Sequence, residues 1–232
     1  MRKAFNNVLI VVKHTAYESA LQLKAQGNAP VALRWAQIKE RHDVHSQCVQ
    51  SVVDLMKSLD VNYSIIGRDE MHRGLLFEKD FVLTVGGDGT TLNVSSFMVD
   101  DSVPLAGINS DPGGGDSIDV VKTDVRRSRG ALCAMTSANV SEILPRIIYG
   151  DIVPRPRTRI QCLVRSTYTE TRLPPALNDV LLAHPIPAAV TRFRLAKYRG
   201  CVVPGYHKPN PADKVGAVTA VIIVLFVAFR LF

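Results

Sequence analysis

Through the first 150 residues, short β-branched apolar runs alternate with longer stretches of helical period. Residues 7–13 and 61–66 have the length and composition of strands, and residues 44–59 before the second run repeat their apolar positions as a helix does. A third run, 81–85, stops at Gly86-Gly87-Asp88-Gly89, after which 90–98 predicts a helix and 103–109 a fourth strand. DPGGGD at 111–116 predicts a turn or loop, and 140–149 a helix closed by Gly150. Strands and helices in this order imply a parallel sheet with helices on both faces and ligands at the carboxyl ends of the strands. The predicted class is α/β, with a Rossmann-like N-terminal domain over residues 1–150.

The pattern changes after residue 150. Pro154 and Pro156 precede three short apolar runs, 159–164, 176–183 and 190–195, which predict the strands of an incomplete all-β domain over 151–200. Residues 201–232 read as a divergent tail, and 215–232 is strongly apolar with no charge before Arg230. At about 1.5 Å per residue, a helix of that length would nearly cross a hydrocarbon core of roughly 30 Å. A membrane anchor therefore stands beside a buried helix or a strand pair as the expectation for this segment.

Composition narrows the partners more than the fold. Hydrophobic residues at 47% and charged residues at 21% exclude general disorder. A formal charge of +7 favours anionic partners. Basic residues cluster at 126–129, 155–159 and 192–199, but no aromatic series interleaves them, so nucleic acid is not an expected partner. Cys48, Cys133, Cys162 and Cys201 form no CxxC pair, which argues against a zinc site or a disulfide framework. The apolar run 8–12 is too short for a secretory signal, so the expected location is cytoplasmic, with membrane association through 215–232 as the alternative. His42 and His45 could share a helix face, and His72 and His184 are isolated; solvated surface is the simplest expectation for all four. Arg155, Arg157 and Arg159 alternate on a predicted strand, either as phosphate contacts or, more simply, as a solvated face.

The strongest chemical signal is LTVGGDGTTL at 83–92. Gly86, Gly87 and Gly89 let backbone N–H groups approach phosphate oxygens and tolerate unusual φ angles, and the following helix offers its N-terminus to negative charge. Asp88 could accept a proton from a substrate hydroxyl or help to place a magnesium ion on phosphates. Thr90 is a candidate cap. An ordinary strand-to-helix turn would explain the glycines without the acid, and the absence of a P-loop lysine excludes a Walker site.

GGDGT after a buried strand resembles the signature of the superfamily that contains NAD kinases, diacylglycerol and sphingoid lipid kinases and, more distantly, phosphofructokinases. SVPLAGINSDP at 102–112, SRGALCAMT at 128–136 and ALNDVLLAHPIPAAVTRFRL at 176–195 are similar to the plant-type NADH kinase branch of the NAD kinase family. The resemblance covers about residues 7–195. It implies ATP-dependent phosphorylation of the adenosine-ribose 2′-hydroxyl of NADH or NAD, with Mg²⁺ or another divalent cation accompanying ATP. It also implies a homo-oligomer where the second domain is complete. Asp88 inherits the catalytic role and Gly86, Gly87, Gly89 and Thr90 the phosphate and nucleotide contacts. Asn178 and Asp179 occupy the place of the family's Asn-acid pair and would contact the dinucleotide, with Asn109 facing the site. No direct protein cage for a metal is implied.

After Leu195 the family's Thr- and Ser-rich segment has no counterpart here. The expectation is a C-terminally truncated or divergent member. Two other readings stay open: a catalytically inactive, membrane-tethered fragment of such a kinase, and a lipid kinase sharing the glycine motif.

Overall fold

The computed structural model describes residues 2–28, 34–112, 130–165, 168–181, 186, 188 and 221–232. Its centre is a parallel sheet of β1 (Asn7–Val12), β2 (Asn62–Gly67), β3 (Phe81–Gly86), β4 (Leu105–Asn109) and the two-residue β5 (Met135–Thr136), in the order 2-1-3-4-5. Helices α1 (Ala16–Ala25) and α2 (Trp35–Ser58) connect β1 to β2, α3 (Asp88–Ser95) connects β3 to β4, and α4 (Val140–Ile148) follows β5.

Period-two alternation in the central strands sorts their side chains onto two buried faces. Val8 and Ile10, Phe81, Leu83 and Val85, and Ala106 and Ile108 pack on one face against Cys48, Val52 and Met56 of α2 and Leu144, Ile147 and Ile148 of α4. Leu9, Val11, Val82 and Leu105 pack on the other against Val94 of α3 and Met71 and Met98 of the connections. The connection from β2 to β3 carries two short 3₁₀ turns in place of a helix.

Local chemistry accounts for the element ends. Helix α1, not expected from its weak periodicity, starts at a capping box: Thr15 and Glu18 bond to each other's backbone N–H. Helix α2 begins at Trp35, between two and three turns before the apolar period becomes legible. As expected, α4 ends at Gly150 with φ +83°, and Asp151 N–H bonds to Arg146 C=O at 2.8 Å. Gly107 permits α3 to lie close on the sheet: an added Cβ would stand 2.7 Å from Thr91 Oγ1 and 3.2 Å from Cys133 Cα.

Strands β6 (Arg155–Arg165), β7 (Glu170–Arg172) and β8 (Val221–Leu231) form an antiparallel set joined to the parallel sheet where Leu231 pairs with Leu105. The helical reading of 215–232 is thereby corrected over its described part. Residues 221–231 pair with β6 along its whole length, and a β-branched run whose backbone groups are satisfied by a neighbouring strand has no need of a helix. Among the described residues no helix is long and apolar enough to cross a membrane. Phe232 finishes the chain against the core, its ring centroid 5.6 Å from that of Phe81, which stacks on Phe5 at 4.9 Å.

Among the described residues of 176–183, Ala176 bridges to a strand, at Ile160, and residues 177–181 are irregular. The expected strand at 190–195 and the basic clusters at 126–129 and 192–199 lie outside the described residues. Arg159 corrects the expectation of a solvated basic face. Arg155 and Arg157 are exposed, but Arg159 is fully buried where β6 crosses the end of α3, and it donates to the Ser95 carbonyl at 2.6 Å.

Replacing Gly107 with Ala should lower the unfolding free energy by about 1–3 kcal/mol, because α3 or the Cys133 backbone must move. Urea denaturation of both proteins measures it, and an unchanged midpoint would show that α3 does not need this close approach.

Candidate active site

In a sheet of order 2-1-3-4-5 the crossovers leave β1 in opposite directions, so a crevice opens at the carboxyl ends of β1 and β3. The cleft of this molecule, about 310 Å³, lies there. Lys13, His14, Thr15 and Ala16 line it after β1, Arg68 after β2, and Gly86 to Thr90 at the β3–α3 turn. Asn109 and Asp111 contribute from the end of β4, and Ile38, Arg41 and His42 from α2.

The glycine turn is built on close packing. Gly86 belongs to the fully buried strand β3; a Cβ there would collide with Thr90 and come within 3.0 Å of Lys13 Cβ. Gly87 is extended, with φ −144° and ψ −167°, and is the N-cap of α3. Among the described residues the positive-φ glycines are Gly27, Gly130 and Gly150, so left-handed backbone is not what Gly86, Gly87 and Gly89 supply; Gly86 is required by closeness, whereas a Cβ on Gly89 would meet nothing within 4 Å. The cap expected of Thr90 is likewise corrected. No side chain caps α3, and Thr90 is buried against Gly86, one turn too far into the helix to reach its first N–H groups.

Asp88 is the first residue of α3, where the helix N-terminus favours its negative charge. Two backbone N–H groups fix its carboxylate: Leu132 donates to Oδ1 at 2.8 Å and Ala131 to Oδ2 at 3.1 Å. Both follow Gly130, whose φ of +70° turns the chain, and whose missing Cβ leaves room for Asn109, otherwise 2.8 Å from its Nδ2. The second half of SRGALCAMT thus serves Asp88 through its main chain. Burial and the nearby Asp88 charge push the Cys133 thiol up to about 11, so it stands protonated beside that carboxylate, Sγ to Oδ1 3.9 Å.

Asn109 is buried at the end of β4, opposite Gly86 in register, and lines the cleft. Asn178 and Asp179 do not line it. They are exposed after the Ala176 bridge, although the adjacent Leu177 packs against the apolar cluster that also receives Leu132. Among the described residues no group of three His, Cys, Asp or Glu could hold a metal ion.

Several site residues carried no recognisable signal in the sequence. His45, expected at the surface, is buried on α2, where its Nδ1 meets Ser110 Oγ at 2.8 Å. Ser110 in turn bonds the Gly86 carbonyl through N–H at 2.8 Å and through Oγ at 3.3 Å, so α2, β4 and the glycine turn are tied together. Thr15 Oγ1 donates to Glu18 Oε2 at 2.7 Å, which leaves it to accept from His42 Nδ1 at 3.0 Å. The Thr15-x-x-Glu18 spacing was the available sign of that corner. Lys13 and Arg41 were anonymous basic residues, and no local pattern brings positions 13 and 41 together.

Residues 8–113 match the family model described as the ATP-NAD kinase N-terminal domain. Residues 8–113 of this chain belong to the NAD kinase family. A "Probable NADH kinase" of Oryza sativa subsp. japonica is 35% identical over 162 residues, 69% of this chain and 48% of that protein. The "NADH kinase" of Arabidopsis thaliana is 39% identical over 131 residues, 56% of this chain and 41% of that protein. The plant NADH kinase resemblance carried by the motifs is therefore present in these alignments too, while the chain spans about half or less of the length of these relatives. Among solved structures, yeast NADH kinase complexed with NADH aligns over 75% of this chain and 47% of its own at 10% identity. Its TM-score of 0.44 is too low to inform the site.

The buried contact of His45 has a pH signature. Burial, then the neighbouring Lys13 charge, pushes its imidazole down to about 4 from 6.5. The unfolded chain therefore takes up a proton that the folded chain refuses, so the contribution is complete above pH 6.5 and is lost as pH falls toward 4. The loss should reach about 3 kcal/mol at pH 4. Urea titrations at pH 7 and pH 4.5 on wild type and His45→Gln should show a smaller pH dependence in the variant; equal dependence would remove His45 from the account.

Proposed function

We propose that this site transfers the γ-phosphoryl group of ATP to the adenosine-ribose 2′-hydroxyl of NADH or NAD, giving NADPH or NADP. The observation that carries the reading is the placement of Asp88: first residue of a helix at the switch point of an NAD kinase-family domain, carboxylate anchored by two main-chain N–H groups and lining the cleft. A carboxylate has about four acceptor positions, so two N–H bonds orient it without exhausting it. Asp88 would take the proton of the 2′-hydroxyl as that oxygen bonds to the γ-phosphorus and the bond to the β–γ bridging oxygen breaks, releasing ADP.

Gly86, Gly87, Gly89 and Thr90 would border the transferring phosphate, with the N-terminus of α3 opposing its charge. Asn109 would face the acceptor from β4, and Asn178 and Asp179 would meet the dinucleotide from the neighbouring bend. A divalent cation bound with ATP would neutralise phosphate charge; Asp88 and Asp111 are the carboxylates of the cleft that could approach it, with phosphate oxygens and water completing its shell. The plant relatives' names support NADH as one acceptor.

Purified protein with ATP, magnesium and NADH or NAD should form the phosphorylated coenzyme, and Asp88→Asn should reduce kcat/KM by about 10²–10⁴ with the fold retained by circular dichroism. Equal rates in the two proteins would remove Asp88 from the chemistry. Labelled phosphate entering a diacylglycerol or sphingoid base, and not the dinucleotide, would overturn the acceptor.

A further inference from the structure

Lys13 and Arg41 converge on the cleft from opposite ends of the first crossover. Lys13 follows the last residue of β1, and its N–H bonds to the Val85 carbonyl at 3.0 Å, which ties it to the strand that ends in the glycine turn. Its Cβ lies against Gly86. Arg41 comes from the second turn of α2 and is mostly covered, with 22% of its side chain exposed.

The carboxylate of Asp111 stands near both, and that of Glu18 also bears on Lys13. Asp111 Oδ2 is 3.9 Å from Arg41 Nε, too far for a hydrogen bond, and the buried Nε makes none. The wall of the cleft next to the glycine turn therefore carries two largely covered cations, with Asp111 the cleft carboxylate beside them. Burial draws the Lys13 ammonium below its ordinary pKa, Asp111 draws it back up, and the neighbouring Arg41 lowers it again. Two like charges brought this close without full compensation suit a ligand that carries several negative charges.

We infer that Lys13 and Arg41 seat the polyphosphate chain of the phosphoryl donor. Position supports the donor over the dinucleotide. Asp88 is held toward Ala131 and Leu132, whose segment packs on β4, whereas Lys13 and Arg41 occupy the β1 and α2 side. The glycine turn at the end of β3 stands between, so an acceptor hydroxyl at Asp88 leaves the opposite side for the β- and α-phosphates of ATP. Lys13 meets a phosphate as a point charge and Arg41 as a planar fork. The assignment of the chain to a donor rests on the kinase reading; the existence of the anion seat does not.

The test separates the two. Calorimetric titration of the full-length protein with inorganic tripolyphosphate, without nucleotide, should show binding that Lys13→Met and Arg41→Gln each weaken at least tenfold. Arg41→Lys should lose less, and Asp88→Asn should still bind. In the kinase assay the same variants should raise KM for ATP about tenfold and leave KM for NADH unchanged. Tripolyphosphate affinity equal to wild type in both variants, with their folds intact by circular dichroism, would overturn the seat. A rise in KM for NADH in place of ATP would overturn the donor assignment. Tripolyphosphate binding dependent on Lys13 and Arg41 in a protein that turns over no dinucleotide would sustain the seat and sink the kinase reading.

Discussion

Strand β3 is the constraint on which the rest of the molecule depends. All six of its residues are buried, and both of its edges are paired, to β1 and to β4. A strand enclosed in this way must be apolar on both faces and must leave the sheet abruptly, because the next residues have to turn into a helix without opening a gap. The glycine at its end is the consequence. Gly86 lets Thr90 of α3 and Lys13 of the neighbouring connection close on the same point, and the first helical residue, Asp88, is delivered to the mouth of the cleft by that tight turn.

The site is held by main chain more than by side chains. Asp88 is oriented by the N–H groups of Ala131 and Leu132, and the Gly86 carbonyl by Ser110, which His45 supports from α2. Main-chain donors on strands and tight turns lose little freedom on binding, which suits a reaction that asks a protein mainly for positioning and charge neutralisation. The mobile, chemically versatile part of the apparatus would then come with the substrates.

The antiparallel strands extend the same scaffold. Strand β8 pairs along β6 and reaches the parallel sheet at Leu105, and the Phe5, Phe81 and Phe232 rings close that corner. An apolar segment that looked separable by composition is thus integrated into the hydrogen-bonded framework next to the parallel sheet.

The local pattern determined the strands 7–12, 81–86 and 105–109 to within a residue or two, the α4 stop at Gly150 and the strand-to-helix turn that carries Asp88, because burial on both sheet faces and the glycine turn impose composition directly on neighbouring residues. It also determined the family, whose motifs are local strings. Tertiary structure alone decided that Gly86 is needed for close packing, that His45 and Arg159 are interior, and that residues 221–231 are a strand. It alone brought Lys13 and Arg41 to one wall. Apart from the contact of Gly86 with Thr90, each of these depends on a partner dozens of residues away, and a side chain's burial or charge environment is set by what packs against it in space, which sequence neighbours do not encode.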